Sequence, residues 1–94
     1  MAHEVRYIAT EQTTRITPDA FRVRVEQSGF AMREASAEDE QVVLEMEGAT
    51  LWLLVEDGFV AEVDAEVTYV NDRKSAKLLE LIESMGWVPE DALE

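Results

Sequence analysis

Asp57-Gly58 stands between two apolar, alternating stretches, Thr50–Glu56 and Phe59–Val70, and no other feature limits the fold of this chain so strongly. An Asp-Gly pair suits a two-residue type I′ hairpin turn, because both turn positions need positive φ. Upstream, Glu40–Glu47 alternates in the same way, ahead of Gly48. Phe30–Ser36 precedes it across the polar turn Ala37-Glu38-Asp39, and Glu4–Thr10 reads as a first strand.

Two segments carry helix signals. Thr17-Pro18-Asp19 offers an N-cap, a proline at the first helical position and an acid in the first turn, while Gly29-Phe30 offers a C-terminal stop. Phe21, Val23 and Val25 also alternate with Arg22, Arg24 and Glu26, a strand period that competes over residues 18–28; the end signals favour helix. Asn71 or Asp72 can cap a second helix with Ala76, Leu78, Leu79, Leu81, Ile82 and Met85 on one stripe, closed by Gly86, Trp87 and Pro89. The expected fold is a single α+β domain over residues 1–94. It is a two-layer sandwich of two helices on an antiparallel four- to five-stranded sheet, in the order β-α-β-β-β-β-α.

The hairpin register makes a further prediction. A regular turn at Asp57-Gly58 pairs Val55 with Val60, Leu53 with Glu62 and Leu51 with Asp64, and a turn at Gly48-Ala49 sets Leu44 against Leu53. One face then collects Val42, Leu44, Met46, Leu51, Leu53, Val55 and Val60, bordered by Glu62, Asp64 and Glu66. The other collects Val43, Trp52, Leu54, Phe59, Ala61, Val63, Ala65 and Val67. Two short helices cover one face, so the second calls for another copy: a homodimer with Leu44, Leu51, Leu53 and Val55 in its interface. A one-residue bulge near Gly48 would turn one strand over and change this.

The charge is as uneven as the hydropathy is regular. The net charge is −13, and residues 34–72 hold twelve acids and no base. That excludes charge-driven nucleic-acid binding. It points instead to a basic protein partner, met by Glu45, Glu62, Asp64 and Glu66 on the sheet with Glu38, Asp39 and Glu40 at the nearby turn. The partner-binding reading includes an inhibitor that occupies a groove built for nucleic acid. Two others compete: salt adaptation, for which two lysines against six arginines speak, and a small acidic chaperone or regulatory subunit. Arg73, Lys74 and Lys77 open the second helix, where the dipole disfavours cations, and serve to offset the acidic sheet.

Catalytic chemistry finds no foothold. There is no cysteine, the sole histidine is His3, and the glycines are scattered at 29, 48, 58 and 86, so neither a thiol nucleophile nor a phosphate loop is available. Glu62, Asp64 and Glu66 would stand about 6.8 Å apart along a strand, too stretched to hold one ion. The expectation is a non-enzymatic protein with no catalytic residue, no metal and no cofactor. The absence of a leader pattern, of a long apolar run and of cysteine fits a cytoplasmic protein that does not engage a membrane.

Overall fold

Both helices form where their end signals place them. In the computed structural model, which describes residues 3–68 and 72–90, α1 spans Pro18–Gln27 and α2 spans Arg73–Ser84. Thr17 caps α1 by accepting the Ala20 N–H at 3.2 Å, and Gly29 ends it at φ +99°. Only Phe21 and Val25 of α1 are buried, so the strand-like Val23 is left exposed. α2 begins at Asp72 without a side-chain cap bond and buries Ser75, Leu78 and Ile82. The alternative cap, Asn71, and the expected strand end at Val70 lie outside the described residues.

The strands are β1 (His3–Ile8), β2 (Met32–Ala37), β3 (Gln41–Met46), β4 (Ala49–Glu56), β5 (Phe59–Val67) and a short β6 (Val88–Pro89). They form one antiparallel sheet in the spatial order β2-β3-β4-β5-β1-β6. The expected order β-α-β-β-β-β-α is therefore extended by one strand. After Gly86 the chain turns back, and Val88 and Pro89 pair with Ile8 and Tyr7. Two residues, one of them a proline without an N–H, carry too little pattern to announce a strand.

The hairpins depart from the expected register in two ways. Asp57 and Gly58 take φ +54° and +84°, as a type I′ turn requires, and Val55 faces Val60. A bulge at Ala61 then moves every later partner by one, so Leu53 faces Val63 and Leu51 faces Ala65. The β3–β4 turn is Glu47-Gly48, not Gly48-Ala49, and Leu44 faces Leu51. Gly48 supplies the positive φ, +81°, that this turn needs.

Side-chain alternation sorts the sheet into two faces. One face gathers Val42, Leu44, Leu51, Leu53, Val63, Ala65 and Tyr7, all buried against Phe21, Val25, Leu78, Ile82, Met85 and Trp87. Trp87 meets Phe21 edge to face at 5.7 Å between ring centroids. The loop between β1 and α1 is fastened to the end of α2. Thr14 N–H donates to the Met85 carbonyl and the Thr13 hydroxyl to the Gly86 carbonyl, both at 2.8 Å. Among the described residues no helix lies over the other face.

Candidate functional site: the open face of the sheet

The open face is ordered in three rows that cross the strands. Arg33, Glu45, Thr50, Glu66 and Glu4 form one. Ser36, Val43, Trp52, Asp64 and Arg6 form the middle one, and Gln41, Leu54, Glu62, Ile8 and Val88 the third. Trp52 therefore stands at the centre, beside Val43 and Asp64, and is half-buried as Leu54 is. Carboxylates occupy all three rows because the Ala61 bulge turns Glu62, Asp64 and Glu66 to this side and sends Val63, Ala65 and Val67 beneath the helices.

The bulge also corrects the expected dimer interface. Leu44, Leu51 and Leu53 are fully buried under α1 and α2, with no surface left for a second copy. Val55 lies on the same face, half-buried at the hairpin end. An interface between copies cannot be built from the three leucines.

Of the carboxylates expected to meet a partner, the structure brings Glu45, Glu62, Asp64 and Glu66 onto this one face. Glu38, Asp39 and Glu40 lie exposed in the β2–β3 turn at its edge. Glu45 is paired with Arg33 across the β2–β3 ladder. Glu62 and Asp64 flank Arg6, whose Nε lies 3.4 Å from Glu62 Oε2 and 3.6 Å from Asp64 Oδ1, while its Nη1 lies 3.7 Å from Glu90. Strand alternation already sets Trp52 beside Val43 and Leu54, whereas Arg6 and Glu90 escaped the sequence reading. Recognising them requires knowing that β1 pairs with β5, which no local pattern declares. Glu66 stands a row away, and among the described residues no group of three His, Asp or Glu side chains is placed to hold a metal ion.

Those two oxygens of Glu62 and Asp64 are buried and have no hydrogen-bond partner among the described residues. The Glu62 carboxyl is accordingly pushed above its ordinary range. Burial contributes most, followed by Asp64, which bonds to the protonated form and repels the anion; Arg6 opposes them. Because the folded protein holds this proton more tightly than the unfolded chain, the group's penalty grows as pH rises through the raised value and vanishes in acid. Glu62→Gln is expected to raise Tm at pH 7 by about 2–4 °C, or about 0.5 kcal/mol for a chain of this size. The gain should shrink as thermal melts are repeated toward pH 4; a gain that is constant with pH would contradict this account.

On the helix side, Tyr7 donates to Glu83 Oε2 at 3.2 Å, and its phenol is held well above the usual range by burial and then by the Glu83 charge. Arg73, Lys74 and Lys77 are exposed on α2, the two lysines beside Glu47 at the β3–β4 turn. His3 is exposed at the start of β1. Among the described residues no helix is long and apolar enough to cross a membrane. No family model, no curated protein and no solved structure matches this chain.

Proposed function

We propose that this chain is a non-enzymatic binding module that offers the open sheet face to a basic protein partner. The observation that carries the reading is the composition of that face: a central, half-buried Trp52 ringed by Glu4, Glu45, Glu62, Asp64 and Glu66. An aromatic anchor inside a charged rim is the usual make-up of a specific interface. Glu62, Asp64 and Glu66 also form a regular row of negative charge at a spacing of about 6.8 Å on a rigid strand. A partner whose basic groove takes a phosphate backbone can accept such a row, so an inhibitor of a nucleic-acid-binding protein is the form of the function we favour. Salt adaptation alone would acidify the helix layer as well, whereas Arg22, Arg24, Arg73, Lys74 and Lys77 all lie there among the acids.

A pull-down from the source lysate, followed by kinetics with the captured protein, tests the proposal. Reversing Glu62 and Glu66 to lysine is expected to slow association about tenfold at low salt and to flatten its salt dependence, with the fold unchanged by circular dichroism. Capture of neutral or acidic proteins only, or kinetics indifferent to both reversals, would overturn it.

A further inference from the structure

The two arginines of the open face are already engaged, Arg33 with Glu45 and Arg6 with Glu62, Asp64 and Glu90. Apart from Glu4 and Glu66, the acids of this face that have no ion-pair partner among the described residues gather at its hairpin end, around a shallow groove of about 750 Å³. The Val55 side chain turns away toward the core, and Leu54 and Ala61 supply apolar surface to the groove floor. Its walls are acidic, with Asp39 and Glu40 on one side and Glu56, Asp57 and Glu62 on the other, and no lysine or arginine among the lining residues.

Both walls are fixed by backbone. Val55 N–H donates to the Glu40 carbonyl at 2.8 Å, which draws the β2–β3 turn against β4. Glu38 N–H donates to the Gln41 carbonyl, also at 2.8 Å, and tightens that turn. The type I′ turn sets Asp57 and the bulge sets Ala61. The groove is therefore formed before anything enters it.

We infer that this groove is the anchor site for an arginine side chain in an extended segment of the partner, an inference that rests on the binding reading above. An alkyl stem can lie along Leu54 and Ala61 while the charged head stays between the walls. Carboxylates on two opposed walls suit a planar group with five donors better than a point charge. A guanidinium is also more weakly hydrated than an ammonium, so it loses less over an apolar floor. The same walls repel phosphate and carboxylate ligands, and an uncharged ligand would leave Asp39, Glu40, Glu56 and Asp57 without a counter-charge.

Fluorescence anisotropy with labelled hexa-arginine and hexa-lysine peptides at about 0.15 M salt tests the assignment. Glu40→Gln with Glu56→Gln is the groove variant; Glu11→Gln with Glu80→Gln makes the same charge change away from the groove. All four positions are exposed, and thermal melts establish that both variants fold. The groove variant is expected to bind hexa-arginine about tenfold more weakly than the wild type, and the control within about twofold. The wild type should prefer arginine to lysine, with the largest amide shifts on titration at Glu40, Leu54, Glu56 and Ala61. Equal weakening of the two variants, equal affinity for the two peptides, or shifts centred on Glu45 and Glu66 would overturn the groove assignment and leave the basic-partner reading standing. That reading fails separately, if a captured partner ignores reversal of Glu62 and Glu66.

Discussion

Leu53→Glu is expected to abolish cooperative folding, while Leu54→Glu, one residue further along β4, leaves the fold intact. Leu53 is fully buried between Val42 and Val63 under the helices, and Leu54 is half-buried on the open face between Gln41 and Glu62. A carboxylate at position 53 would be enclosed by the apolar side chains of the core. The cost combines a lost leucine, about 2–5 kcal/mol, with burial of an unpaired charge. Together these match the whole stability of a domain this small, about 5–15 kcal/mol. Urea titrations followed by far-UV circular dichroism check both variants. A folded Leu53→Glu protein that merely halves its mass in sedimentation would restore the leucine dimer interface that the buried core removes.

The same pair of residues shows which parts of the fold the sequence makes legible. Strand alternation in β3 and β4 and the helix-end signals are local: they place Thr17, Gly29 and Gly86 in their observed roles and set Leu44, Leu51 and Leu53 on one shared face, although that face is the buried core and not the expected dimer interface. The β3–β4 turn lies one residue away from the expected site, at Glu47-Gly48, yet no side chain changes face. Pairing Val42 with Leu53 instead of Val55 moves the register by two, and two is the period of a strand. At Ala61 the shift is one, which reverses the rest of β5.

Energetics could have revealed that bulge. A regular register puts Glu62, Asp64 and Glu66 beside Leu53 and Leu51 in the one face the helices must cover, and leaves Val63, Ala65 and Val67 on the other. One unpaired backbone position at Ala61 costs far less than three buried carboxylates. The candidate site follows from the bulge, because it gives the open face its acids. Arg6 and Glu90 were hidden for a different reason. Their proximity to Glu62 depends on β1 pairing with β5 on one side and β6 on the other, contacts between distant parts of the chain that no local pattern declares.

Gly86→Ala is the second substitution with a large expected effect, and Gly29→Ala is its control. Both glycines follow a helix at nearly the same angle, φ +101° and +99°. Each change incurs the strain of an L residue in that region, about 1–2 kcal/mol. At Gly29 a new Cβ meets nothing within 4 Å, so the strain is the whole cost. At Gly86 it would lie 2.5 Å from the Gln12 carbonyl oxygen and 2.6 Å from Thr13 Cα. Those atoms cannot withdraw freely, because Thr13 and Thr14 are bonded to the Gly86 and Met85 carbonyls. The loop also continues to Ile16, which is buried and accepts the Val60 N–H at 2.9 Å. Displacing it breaks contacts on α2 and on β5 together. The expected loss is about 3–4 kcal/mol for Gly86→Ala, against about 1–2 kcal/mol for Gly29→Ala, measured by urea denaturation of both. Equal losses would mean that the loop gives way without cost. The consequence reaches the open face as well. Trp87 follows Gly86 and its indole N–H points to the Ala61 carbonyl at 3.5 Å, so a loosened loop relaxes the bulge that turns Glu62 toward a partner.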